Sequence, residues 1–122
     1  MLTLPPSVRI YVAVGASDLR RSIDGLSGLV RERFGSDPFS GHLFLFRNRR
    51  GDRLKILMWD RSGSWVLYKR LERGTFAWPQ ADVPGPVELK AAELMVLLSG
   101  LDVSSTRRRR WYERESPANR NL

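Results

Sequence analysis

The chain has 122 residues, 42% of them hydrophobic, with one histidine, no cysteine, and 21 Lys and Arg against 13 Asp and Glu for a net charge of +8. That length suits a single domain with one core of two packed layers and leaves no room for separate catalytic and recognition domains. The lack of cysteine and the lone His42 exclude a thiolate zinc site, a Cys nucleophile and a His-based triad, and make an oxidising compartment unnecessary. A pI near 11.0, with Arg outnumbering Lys 18 to 3, points to a polyanionic partner, of which nucleic acid is the commonest. The plain alternative is a basic, solvated surface with no specific partner.

The opening MLTLPPSVRIYVAVG has no basic leader and breaks at Pro5-Pro6, which argues against a signal peptide. No apolar run approaches the roughly 18 residues of a membrane span, so a soluble cytoplasmic protein without membrane contact is expected. Residues 8–14, VRIYVAV, are rich in β-branched side chains and read as a first strand that ends at Gly15 and joins the main sheet.

Ser17 or Asp18 is placed to cap a helix predicted over 18–34, because Leu19, Ile23, Leu26, Leu29, Val30 and Phe34 recur at steps of three and four. Arg20 and Arg21 would fall in its opening turn, where the helix dipole disfavours cations by roughly 0.3–1 kcal/mol. A phosphate held there would reverse the penalty; two arginines pointing into water would escape it. Gly25 and Gly28 each cost about 1 kcal/mol in a helix interior, which suggests close approach to the sheet.

From Gly41 to Pro79 three apolar runs, residues 42–47, 53–59 and 64–70, are separated by Asn48-Arg49-Arg50-Gly51-Asp52 and Asp60-Arg61-Ser62-Gly63. These separators are turn chemistry, and two consecutive hairpins, a meander, follow. Residues 43–46 are apolar on both faces, as a central strand requires. Between Arg47 and Arg73 lie nine basic residues against three acids, most of the charge of the chain. A sheet face bearing Lys55, Lys69, Trp59 and Trp65 together would suit a nucleic-acid surface; the blander reading makes the tryptophans core and exposes only the loop arginines.

Residues 75–78 read as a short fourth meander strand stopped by Pro79, and residues 80–86 as a loop. A second helix is predicted over 87–99, with Pro86 near its start, Glu88 in its first turn and Gly100 as its terminal cap. It is apolar over more than half its girth, enough for a second core helix or a homodimer contact. From Ser104 the composition becomes basic, and the run of four arginines at 107–110 before Trp111-Tyr112 suits a flexible arm tracking a phosphate backbone, although ordinary solvated disorder has the same composition.

Metal-dependent phosphoryl transfer needs clustered carboxylates. The 13 acids here are scattered singly, and the pairs that could meet, Asp18 with Asp24 and Asp52 with Asp60, sit beside arginines. No P-loop, nucleophile elbow or dinucleotide fingerprint occurs. No catalytic residue, metal or cofactor is therefore expected, and His42 reads as a solvated or hydrogen-bonded histidine.

Ser17-Asp18-Leu19-Arg20-Arg21-Ser22-Ile23-Asp24-Gly25-Leu26, then residues 37–55 (DPFSGHLFLFRNRRGDRLK), Trp59-Asp60, and residues 69–79 (KRLERGTFAWP) together resemble the TnpB accessory protein, the second open reading frame product, of the insertion-sequence family sixty-six. The likeness runs from about Leu4 to Asp102 in matching order and spacing; Arg61-Ser62, Val103 and the 107–110 arginines depart from the family pattern. It implies a bacterial accessory of transposition, encoded beside an acidic-triad transposase and another small protein.

The resulting expectation is an α+β domain over 1–103, a mostly antiparallel four- to five-stranded sheet covered by two helices, with a basic, flexible tail over 104–122. The expected function is a non-catalytic accessory of DNA transposition that binds element ends or target DNA. Arg49, Arg50 and Arg53 are the main candidate contacts, Arg47, Lys55, Arg61, Lys69, Arg70 and Arg73 extend the basic face, and Arg20 with Arg21 form a helix-terminus anion site. Expected partners are DNA, which the sequence does not separate from RNA, and the transposase and other proteins of the element. The alternative is a protein-interaction module that bridges or activates the transposase, its charge serving solubility. A small metal-dependent nuclease is a third reading.

Overall fold

In the computed structural model, which describes residues 5–80 and 85–100, the doubly apolar run becomes β2 (Leu43–Arg47), the middle strand of five. Leu43, Phe44, Leu45 and Phe46 are each at most 2% exposed. Full burial of such side chains is worth about 1.5–3 kcal/mol each, which fixes this strand at the centre. The others are β1 (Ile10–Val12), β3 (Arg53–Trp59), β4 (Ser64–Arg70) and β5 (Val87–Leu89), in the order β4-β3-β2-β1-β5. β1 runs parallel to β2 while all other neighbours are antiparallel, so the fold is α+β with a mostly antiparallel sheet.

Strand alternation divides the core in two. On one face Ile10, Val12, Leu43, Leu45, Leu54 and Ile56 pack with Phe76, Leu71, and Leu94 and Leu97 of α2 (Ala91–Leu98). On the other, Phe44, Phe46 and Leu57 meet Leu26 and Leu29 of α1 (Ile23–Leu29) and Val30 and Phe34 of the π-helical turn that continues it, Val30–Phe34. The wider π turn brings the Phe34 ring edge-on to both Phe44 and Phe46, at 5.2 and 5.5 Å between centroids. Gly35, at φ +60°, ends it.

Four expectations are corrected. The first helix starts at Ile23 instead of residue 18, because the Asp18 carboxylate accepts hydrogen bonds from the Arg20 backbone and guanidinium and holds the lead-in as a turn. Its glycines do not serve approach to the sheet: a Cβ on Gly25 would come within 2.9 Å of the Arg21 side chain, and one on Gly28 would meet nothing within 4 Å. Val87–Leu89 is strand, since it pairs antiparallel with Val12–Ile10 and Arg9 bridges to Glu88 at 3.2 Å; α2 begins only after Lys90, whose N–H donates to Glu93. Residues 75–78 are not a strand either. The Phe76 N–H donates to the Gly51 carbonyl, and Trp78 donates its indole N–H to the Ala13 carbonyl across the sheet. Gly100, at φ +87°, follows α2 as expected, while the 104–122 tail lies outside the described residues.

Candidate nucleic-acid interface

The β2–β3 turn is ordered from within. The Asn48 side-chain oxygen accepts from the Gly51 and Arg53 N–H groups at 3.0 Å each, and its amide donates to Asp52 at 2.9 Å. Gly51 sits at φ +80° in a buried position, which a Cβ would crowd against Thr75 at 3.2 Å. Because the turn satisfies its own polar groups, Arg49 and Arg50 are left exposed at its tip. Among the described residues neither they nor Arg53 is ion-paired with a carboxylate.

Opposite this turn runs the lead-in to α1, residues 16–20. Between them lies a groove of about 890 Å³, lined on the turn side by Asn48, Arg49, Arg50 and Arg53, on the other by Ser17, Leu19 and the Asp18–Arg20 pair, and floored by Lys55, Val66 and Tyr68. Five cations face one carboxylate there. Lys55 is the fastener between the two walls: its ammonium donates to the carbonyls of Leu19 (2.6 Å) and Arg21 (3.2 Å) and lies over the Tyr68 ring, 5.8 Å from its centroid.

Register decides where the remaining cations go. Arg53 lies directly across from Arg70, and Lys55 from Tyr68, so these four share the groove face. Two like charges opposed on neighbouring strands are destabilising, and Arg70 is partly offset by Glu72 at 3.4 Å. Leu54 lies across from Lys69 and Met58 from Trp65, which puts Lys69 and Trp65 on the α2 face. No single face therefore carries Lys55, Lys69, Trp59 and Trp65 together. Nor are the tryptophans uniformly core: Trp65 is 53% exposed.

Lys69 donates to the Leu98 carbonyl at 2.7 Å, a cation at the C-terminal end of α2 where the dipole welcomes it. Arg47 is also on the α2 face, half-buried, donating to the Phe76 carbonyl at 3.0 Å and lying 5.3 Å from the Trp78 ring centroid. Arg61, at φ +88°, stands in the β3–β4 turn at the far end of β3, roughly 20 Å from the groove. Arg73 is exposed in the loop after β4. Arg20 and Arg21 lie just before the Ser22 N-cap of α1, outside its first turn, and Arg20 is paired with Asp18 at 2.9 Å.

Asp18, Asp52 and Asp60 are held ionised by local donors. Arg20, through its guanidinium and then its backbone N–H, lowers the Asp18 pKa to about 2. The Asn48 amide lowers Asp52, and the Trp65 indole N–H lowers Asp60. Among the described residues no three His, Asp or Glu side chains gather as a metal site would require. His42 accepts the Arg9 backbone N–H on Nδ1 at 2.9 Å. Tyr68 was the residue missed by sequence reasoning; its signal was an aromatic on the same strand parity as Arg70.

The family described as IS66 Orf2 like protein matches residues 8–108. The chain belongs to that family. Membership in the IS66 Orf2-like family carries an accessory role in transposition. Two relatives come from Sinorhizobium fredii (strain NGR234): the uncharacterized protein y4hO is 40% identical over 84% of this chain and 88% of its own length. The uncharacterized protein y4jC is 37% identical over 84% of this chain and 86% of its own. No solved structure matches. No helix among the described residues of this IS66 Orf2-like protein is long and apolar enough to cross a membrane.

Proposed function

We propose that this IS66 Orf2-like protein serves transposition as a non-catalytic DNA-binding accessory, in the bacterial cytoplasm, acting on element ends or target DNA. The observation that carries the reading is the groove, where Arg49, Arg50 and Arg53 present guanidinium groups that form no direct ion pair among the described residues, Asp52 acting on Arg50 and Arg53 only at longer range. Arginine forks of this kind match phosphate oxygens and guanine edges. Arg70 adds to the same face, and Arg20 lines the opposite wall. Arg61 and Arg73 extend the positive field, whereas Arg47, Lys55 and Lys69 act chiefly by fastening the fold that presents it.

The test is fluorescence anisotropy with the element's terminal repeat and a scrambled duplex of equal length, across a salt series. Tighter binding to the repeat at physiological salt identifies an end-recognition protein, and equal, steeply salt-dependent binding a non-specific clamp. No binding to either at moderate salt would overturn the proposal.

A second reading has its own observation. β4 is an edge strand with Trp65 and Tyr68 each 53% exposed and Leu67 36% exposed, the kind of edge to which a partner adds a strand. Bridging to the transposase would use it. Co-purification of the two proteins in high salt, without DNA, would favour that reading.

A further inference from the structure

Resting on the DNA-binding reading of the groove, we propose that its ligand is an unpaired stretch of DNA, with one base stacked on Tyr68 and the flanking phosphates on Arg49, Arg50 and Arg53. Phosphate contact alone would need cations and nothing else. This groove also has an apolar floor and wall, in Val66, Leu19 and the ring of Tyr68. Tyr68 is 53% exposed although it lies on a sheet face, because α1 is only seven residues long and covers the sheet over Phe44, Phe46 and Leu57.

A duplex cannot use such a floor. Its bases are stacked on one another and offer only their edges in the grooves. An unpaired strand offers π-faces, and single-strand sites combine aromatic platforms with a cationic track along the backbone. Both are present here within one cleft. The Lys55 ammonium, anchored on the Leu19 and Arg21 carbonyls, stands 5.8 Å from the Tyr68 ring centroid and adds a fixed cation beside the platform. The volume, about 890 Å³, falls in the range of roughly 300–1,000 Å³ typical of clefts that enclose small ligands, the scale of individual nucleotides instead of a double helix. The exposed cations Arg49 and Arg50 stand at the turn end of the cleft and Arg53 beside it on β3, so phosphates adjoining a stacked base meet charge. An accessory to transposition meets such DNA wherever strands are cut or opened.

The experiment compares a labelled thymidine oligonucleotide of about a dozen residues with a blunt duplex of the same length, at one salt concentration, for the full chain and for Tyr68→Leu and Tyr68→Phe. Leu keeps an apolar side chain on an exposed edge strand, and Phe keeps the ring. Stacking of one base on an aromatic is worth about 1–3 kcal/mol, so Tyr68→Leu is expected to weaken single-strand binding about 5- to 150-fold while duplex binding stays within about twofold. Tyr68→Phe is expected to bind both as the native chain does. Single-strand affinity unchanged in Tyr68→Leu would overturn the inference, as would equal loss for both DNA forms. Binding of a uridine ribo-oligonucleotide more than about tenfold tighter than the thymidine one would make the ligand RNA and overturn it too. If the native chain binds neither DNA form, the DNA-binding reading itself falls; duplex binding indifferent to residue 68, with no single-strand preference, removes only the unpaired-strand ligand.

Discussion

Replacing Arg49 and Arg50 together by alanine separates the groove from every other source of positive charge. Both side chains are exposed, and the turn that carries them is held by Asn48, Gly51 and Asp52. Folding stability should therefore stay within about 0.5 kcal/mol, as for ordinary surface changes. Each phosphate contact contributes about 0.9 to the slope of log affinity against log salt. Loss of two contacts should make that slope shallower by about 1.8. Referred to 1 M salt, the same relation gives about 0.74 decade per contact at 0.15 M, so the double variant should bind duplex about thirtyfold more weakly, or ~2 kcal/mol. The loss should shrink towards nothing as salt approaches 1 M. Anisotropy titrations at four or five salt concentrations measure both quantities. A slope unchanged in a folded double variant would refute the assignment of phosphate contacts to this turn.

Arg47→Met should behave in the opposite way. It removes the hydrogen bond to the Phe76 carbonyl and the packing on Trp78, costing about 1.5–3 kcal/mol of stability in urea denaturation, while the salt slope of DNA binding stays as in the native chain. A changed slope with unchanged stability would show that the side chain faces DNA instead. Gly51→Ala forces a Cβ into φ +80° and to within 3.2 Å of Thr75. The left-handed conformation alone costs roughly 1–2 kcal/mol, so the urea midpoint should fall, and an unaltered midpoint would mean that the turn relaxes freely.

The sequence by itself determined the three long strands and their two turns. The information there is local: apolar runs of five to seven residues, the turn residues Asn48, Gly51 and Gly63, and the doubly apolar 43–46 stretch that had to be central. It also determined that charge collects at Arg49 and Arg50, because residues at a hairpin tip have nowhere to go but solvent. The family was legible for the same reason, since its motifs lie in those strands and turns.

Residues 87–89 escaped because Pro86 and Glu88 resemble a helix start, and only the free edge of β1, with Arg9 waiting for Glu88, makes extended backbone the better use of them. The composition of the groove escaped because alternation within a strand says which residues share a face, but not which face of one strand coincides with which face of the next. That is set by register, and a shift of one residue would exchange every side chain between the two sides. Tertiary pairing alone put Tyr68 beside Lys55 in the cleft and Arg70 beside Arg53 on the same sheet face, and sent Lys69 and Arg47 to the opposite face to hold α2 and the Phe76–Trp78 segment in place.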